Sequence, residues 1–375
     1  MKNKLTEQGI RYQPDYAILF SVLILAGFGL IMVFSASYIS SLEMRGDAFF
    51  FLRRQAFWVV LGLLGMYLST NFSYWKWRRL VPLMLIINFV LLAAVFIPGL
   101  GLEVNEATRW IALGGFTLQP SEFTKLALVI FTAYYLSKKN VNMKNFWQSS
   151  FIPLSVMGAS FLLILAQPDL GTAVALALVT GVIIFVAGIP MGHLFGLMLV
   201  SFPMVFYLAL SEPYRMRRIF SFMDPWADPL YSGYHIIQSL YALGPGGLFG
   251  VGLGRSRQKL YYLPEPQNDF IFAIIGEELG FIGAFTVMML FFILIWRGLK
   301  TSITAPDAFG SLLAAGIISI VGAQALINIG VVTGSIPVTG INLPFISAGG
   351  SSLFFTMFAM GILMNISRYQ RGKGG

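Results

Sequence analysis

The chain has 375 residues, of which 57% are hydrophobic and only 11% charged, with a mean hydropathy of +0.77. That balance excludes a soluble domain and predicts an all-α polytopic membrane protein. The net charge of +9 follows from topology and lipid-headgroup contact and implies no nucleic-acid partner, while the absence of cysteine excludes disulfides, thiol catalysis and thiolate metal sites together.

Apolar runs near 16–38, 56–72, 80–98, 122–136, 151–166, 172–189, 194–210, 270–296, 309–330 and 351–366 predict ten transmembrane helices. The first follows Lys2, Lys4 and Arg11 like a signal peptide. It is too long for an h-region and lacks a small-x-small cleavage site, so it is expected to be retained. With the N-terminus inside, the cytoplasmic segments collect 14 of the 25 basic residues and only Glu7, Asp15 and Asp307 of the 16 acidic ones. Both termini therefore face the cytoplasm. Residues 1–15 and 367–375 are expected to be cytoplasmic tails around one ten-helix membrane domain, 16–366. One large extracytoplasmic loop, 211–269, joins helices 7 and 8.

In chain order, Arg53 and Arg54 read as headgroup anchors for the second helix, and Trp75 to Arg79 as an inner aromatic and basic belt. Pro120 is placed to begin the fourth helix, with Glu122 and Lys125 three apart on one face. They read either as an ion pair closing the helix end or, because charge at membrane depth is costly, as functional groups. Gln167 to Thr172 is a tight outer turn in which Asp169 is placed to cap the next helix.

The 211–269 loop carries six basic residues, Arg215, Arg217, Arg218, Arg255, Arg257 and Lys259. A long translocated loop can ignore charge bias, or these residues can meet an anionic ligand at the outer surface. Its glycine series, 244–254, does not read as a nucleotide site, since no strand precedes it and Pro245 interrupts it. It is expected to be a re-entrant segment lining a cavity or packed in protein. The loop ends in Gln258 to Asp269, a polar, Pro-broken approach to the eighth helix. Asp269 is the last charge before the bilayer, expected in that helix's first turn as an N-cap or as an ionised base. Glu277 falls roughly on its face and Glu278 is rotated away, and both are expected to make buried helix-to-helix hydrogen bonds. Between the last two helices, Asn328 and the Gly/Pro-broken stretch to Ser351 and Ser352 can offer backbone and hydroxyl donors to oxyanions. His193 and His235 fall on opposite sides of the membrane, so no histidine metal site is expected.

Pro264 to Ala273, Gly276 to Gly283, Gln119 to Lys125, Gln167 to Thr172 and Pro337 to Ser352 together closely resemble the SEDS family (shape, elongation, division and sporulation). The pattern is more similar to its division and sporulation branch, FtsW and SpoVE, than to its RodA-like elongation branch. The resemblance runs from first helix to last. It implies a ten-helix peptidoglycan glycosyltransferase at the bacterial cytoplasmic membrane that polymerises lipid II and works with a class B penicillin-binding protein. On that resemblance Asp269 is the catalytic residue and Glu122 and Lys125 are needed for activity; Gln267 and Asn268 stand where the family often has His-Thr.

Polymerisation needs a base for a sugar 4-hydroxyl and positive charge for a departing diphosphate. Asp269 is the expected base, and Arg109, Lys125, Arg215, Arg217, Arg218 and Lys259 are the candidate cations. Glu122, Gln258, Asn328, Ser351 and Ser352 complete the expected substrate contacts, with Asp169 and Glu277 supporting. A divalent cation, Mg²⁺ or Mn²⁺, could share the diphosphate, although no dedicated ligand set is visible. The alternative is a flippase or transporter of a lipid-linked anionic precursor, which intramembrane Glu277 and Glu278 and the broken 331–350 segment would suit.

Overall fold

The computed structural model describes residues 10–11, 13–104, 107–114, 116–260 and 262–370; Lys2, Lys4, Glu7, Arg371 and Lys373, all of which the charge bias assigns to the cytoplasmic side, lie outside the described residues. Ten helices stand where the apolar runs fall: α1 Tyr16–Arg45, α2 Phe50–Asn71, α3 Trp77–Ala94, α4 Pro120–Leu136, α5 Ile152–Leu165, α6 Leu170–Val186, α7 Met191–Leu210, α10 Ile271–Thr304, α11 Ala308–Val332 and α12 Ser351–Ser367. Two more, α8 Pro213–Met223 and α9 Tyr234–Gly246, form inside the 211–269 segment.

Local chemistry explains where the helices start. Asp15, Asp169 and Asp307 are the N-caps of α1, α6 and α11, each carboxylate accepting from a backbone N–H of the first turn. Pro120 occupies the first turn of α4, where its missing N–H costs nothing. The bundle packs around α4 and α11, most of whose residues are buried, whereas α7 has no buried residue. Small residues set the closest approach: Gly62 and Gly65 of α2 face Met357 and Phe354 of α12, and a Cβ on Gly361 would fall 2.0 Å from Ser69 Oγ.

A small sheet caps the end of the bundle that carries the α3–α4 connection. Strands β2 Gly101–Val104, β3 Ala107–Leu113 and β4 Phe116–Leu118 form an antiparallel meander. At the other end, β1 Ile10–Arg11 pairs with β5 Tyr369–Gln370, so the described ends of the chain lie together. That end is tied by acid–base contacts: Arg297 binds Asp15 at 2.6 Å, and Asp307 accepts from Arg78 at 2.5 Å and from the Trp75 indole at 2.8 Å.

The 34-residue α10 is broken at Gly280, whose φ of 66° and ψ of −163° are non-helical. The segment after α9 repairs the break. Val251 and Gly252 donate to the carbonyls of Glu277 and Glu278 at 2.9 and 3.0 Å, and the freed N–H groups of Phe281 and Ile282 donate to Gly247 and Leu248 at 2.8 and 3.1 Å. The glycine series is thus packed against a helix break rather than lining an open cavity. Gly250 is required here, because its φ is +79° and a Cβ would lie 2.1 Å from the Glu278 carbonyl oxygen.

Gly250→Ala is expected to lower the thermal unfolding temperature in detergent much more than Gly254→Ala. Gly254 shares the left-handed φ, +78°, but has open space around it, so it should lose only the conformational cost of about 1–2 kcal/mol.

Candidate active site

A cavity of about 560 Å³ opens at the sheet-capped end, between α2, α4, α6, α11, the loop preceding α10 and the 339–351 segment. Its walls combine five basic residues, Arg45, Arg54, Arg109, Lys125 and Arg218, with four acidic ones, Glu122, Asp169, Glu265 and Asp269.

Asp269 is one residue earlier than a cap: the N-cap of α10 is Phe270, with no side-chain cap bond. Its backbone is held from three sides. Asn328 Nδ2 donates to the Asp269 carbonyl at 2.7 Å, Ser347 Oγ to that of Asn268 at 2.8 Å, and Ala348 N to that of Gln267 at 2.9 Å. Asn328 therefore acts on Asp269 through the main chain and does not itself line the cavity. Among the described residues no hydrogen bond reaches the Asp269 carboxylate. Gly340, with φ +77°, leaves it room: a Cβ there would sit 3.5 Å from Oδ2.

The carboxyl is enclosed by protein yet opens on the cavity. Burial, reinforced by the Glu265 charge, raises its pKa to about 6, against the pull of Arg218 and Arg109. A raised value matches a base working near neutrality, still ionised at pH 7 and more basic than an exposed aspartate.

Of the two arginines beside it, Arg109 is fixed by main-chain contacts and the exposed Arg218 is steered by one. Arg109, on β3, donates through Nε to the Gln167 carbonyl at 3.3 Å and through Nη2 to that of Pro168, and lies 3.9 Å from Asp169. Arg218, on α8, donates to the Val338 carbonyl at 3.4 Å. Asp169 itself is committed to α6, accepting from Thr172 N at 3.1 Å and Thr172 Oγ1 at 2.8 Å. Glu122 and Lys125 pair at 2.8 Å, both buried on the cavity wall, and Ser351 Oγ accepts from Gln119 N at 3.1 Å at its edge.

Other expected ligands are placed elsewhere. Lys259 is 3% exposed and bonds Glu278 at 2.8 Å; Glu278 in turn accepts from Ser35 Oγ of α1 at 2.6 Å. Desolvating an ammonium is tolerable only with such a partner, so Lys259 is a structural cation. Glu277 accepts from Arg257 N at 2.8 Å and from Ser256 Oγ, tying loop to helix rather than helix to helix. Arg215 is buried and closes the end of α7 by donating to the Leu208 carbonyl at 2.9 Å. Gln258 and Ser352 do not line the cavity, and neither does Arg217, which is exposed. Arg54, in contrast, is a cavity residue, its Nη2 donating to Thr117 Oγ1 at 3.0 Å, while Arg53 alone keeps the exposed anchoring position, paired with Asp47. No three carboxylate or imidazole groups converge on a metal position among the described residues.

The chain matches the FtsW/RodA/SpoVE family, described as cell cycle proteins, over residues 16–372. It is 50% identical to Stage V sporulation protein E of Bacillus subtilis (strain 168), covering 96% of this chain and 98% of that one. It is 42% identical to a probable peptidoglycan glycosyltransferase FtsW of Geobacter sp. (strain M18), again over 96% and 98%. Among solved structures, a chain of a peptidoglycan synthase complex that coordinates polymerization and crosslinking superposes with a TM-score of 0.78 at 28% identity, covering 95% of this chain and 98% of that chain. The rod shape determining protein RodA of Thermus thermophilus superposes at 0.70, 28% identity, over 95% and 97%.

Lys259→Met is expected to destabilise the protein by about 3–5 kcal/mol, because it strands Glu278. The double variant Lys259→Met/Glu278→Leu should recover most of that loss in thermal unfolding. Recovery by the pair identifies an internal salt bridge and no ligand contact.

Proposed function

The chain belongs to the FtsW/RodA/SpoVE family of cell cycle proteins, and from that premise we propose that it is a peptidoglycan glycosyltransferase that polymerises lipid II at the outer face of the cytoplasmic membrane. The observation that carries this reading is a single carboxylate, Asp269, raised toward neutrality in a protein-walled cavity beside Arg109 and Arg218. We assign the cavity to the extracytoplasmic side and both termini to the cytoplasm, because the Lys and Arg residues of the short loops cluster at the opposite end.

Asp269 takes the proton from the 4-hydroxyl of the acceptor sugar as that oxygen attacks the anomeric carbon of the donor. One C–O bond forms, the bond from that carbon to the diphosphate oxygen breaks, and configuration inverts. The electron pair leaves on the diphosphate, whose growing charge meets the guanidinium groups of Arg109 and Arg218. A diphosphate needs little protonation to leave, so one carboxylate suffices. The Glu122–Lys125 pair supplies a net-neutral polar wall that hydrogen-bonds the sugars without competing for the diphosphate. Asp169 orients Arg109, and Ser351 lies at the edge of the same wall. A Mg²⁺ or Mn²⁺ ion would draw its ligands mostly from the diphosphate and water, and no step above uses one. A class B penicillin-binding protein is the partner this reading assigns, acting on the glycan as it emerges; division or sporulation is the setting, in keeping with the FtsW and SpoVE relatives.

Purified protein supplied with lipid II, together with the partner, should yield glycan ladders. Asp269→Asn should reduce the rate on the order of 10²–10⁴-fold while unfolding at the wild-type temperature or above. Equal polymer from both proteins overturns the assignment of the base.

The reactive form is the carboxylate, so the rate should fall about tenfold per pH unit below a midpoint near 6. Arg218 lowers the Asp269 pKa and Glu265 raises it. Arg218→Gln should therefore move the acid limb to higher pH, and Glu265→Gln to lower pH, in pH–rate profiles.

A further inference from the structure

The cavity holds a second basic pair that the reaction steps above leave unused. Arg45, at the end of α1, and Arg54, near the start of α2, both line it. They are close enough to repel one another. Arg45 sits at the exposed mouth with its guanidinium 4.1 Å from the Phe50 ring centroid. Arg54 is partly buried and steered by Thr117 Oγ1 at 3.0 Å; among the described residues no carboxylate lies within ion-pair distance of it. Beside them the Trp58 indole Nε1, buried and without a hydrogen-bond partner, belongs to the same wall.

Two guanidinium groups held together, one of them without a counter-charge among the described residues, are costly unless an anion of two or more charges joins them. The other two arginines act elsewhere. Arg109 is held at the Gln167 and Pro168 carbonyls and Arg218 at that of Val338, two residues before the Gly340 that lies against the Asp269 carboxylate, whereas Arg54 is held at Thr117 of β4.

Resting on the proposed polymerase reading, we propose that Arg45 and Arg54 form a second diphosphate site, which holds the lipid-linked acceptor while Arg109 and Arg218 hold the donor. The chemistry requires two such sites. Each reactant carries its own lipid diphosphate. The diphosphate that leaves must adjoin the attacked carbon and hence the base. The acceptor's diphosphate lies a disaccharide away from the hydroxyl that Asp269 deprotonates. One basic pair grouped with Asp269 and a second anchored at Thr117 and Phe50, in one cavity, supply the two sites and set which substrate each takes. Trp58 Nε1 and Thr117 are the neutral donors available to the same anion.

Binding of farnesyl diphosphate to the full chain in detergent, measured by calorimetry, tests the proposal without depending on turnover. The wild-type protein should take up two equivalents. Arg45→Gln/Arg54→Gln should take up one, and Arg218→Gln should also take up one, at the remaining site. Arg45→Gln alone, at the exposed mouth, is the variant that keeps the fold if the double substitution does not. It should weaken the second site about tenfold or more. Two equivalents bound unchanged by both Arg45 and Arg54 substitutions, or a single equivalent bound by the wild type, overturns the second site. An active base with a single diphosphate site would leave the polymerase reading standing and remove this one, whereas two sites with an inert Asp269 would do the reverse.

Discussion

A helix broken inside a membrane exposes amide and carbonyl groups that hydrocarbon cannot satisfy, and each left alone costs several kcal/mol. In this protein the break at Gly280 is filled by the backbone of residues 247–252, which exchanges four main-chain hydrogen bonds with α10. That repair brings the re-entrant segment against α10 a few turns below Asp269. The rest of the loop must then return to the start of the same helix, pinned on the way by Glu277, Glu278 and Lys259. The carboxylate stands at the end of this closed circuit. Its position is a consequence of satisfying backbone polarity at depth, and the glycines at 250 and 280 are what allow the two backbones to meet.

Electrostatics then divides the ionisable groups into two kinds. Lys259 with Glu278, and Lys125 with Glu122, are buried pairs whose charges cancel locally. Arg45, Arg54 and Arg218 instead hydrogen-bond neutral acceptors or lie over a ring, so their positive charge is directed into the cavity. Asp269 sits between these regimes, destabilised as an anion by enclosure and by Glu265 and partly restored by two arginines. A carboxylate poised in this way suits the proposed role of base, which needs neither full exposure nor a salt bridge that would hold it permanently ionised and weakly basic.

The sequence makes the spans legible because run length and Lys/Arg asymmetry are governed by the bilayer itself, which acts on every helix alike. It also makes the Asp169 cap legible, since that carboxylate acts within three residues of itself; Asp15 and Asp307 cap in the same way but read in the sequence only as cytoplasmic acids. Distant pairings are hidden from it. Lys259 and Arg218 are indistinguishable as loop cations, and only the fold carries one to Glu278 and leaves the other facing Asp269. Arg53 and Arg54 are likewise adjacent, and a helix turns successive side chains by about 100°. One therefore reaches Asp47 at the surface and the other the cavity. Helices α8 and α9 and the β2–β4 meander escape a reading by hydropathy because they are short and lie outside the apolar runs.

The arrangement also separates catalysis from transport. A carrier of a lipid-linked anion needs its binding site to be reachable from both ends, commonly through broken helices meeting near the midplane. Here the 339–351 segment lines the cavity, the α10 interruption is filled by residues 247–252, and among the described residues none from the terminus-bearing end lines the cavity. Below it, α4 and α11 are buried almost continuously from Leu126 to Ala133 and from Leu312 to Ile318. The far end is tied by Asp15 with Arg297 and by Asp307 with Arg78 and Trp75. Opening a path through that floor would unpair these charges and separate a close-packed apolar core. A one-ended basic cavity with a poised carboxylate is instead suited to reacting lipid-linked sugars in place and releasing the product to the side from which it came.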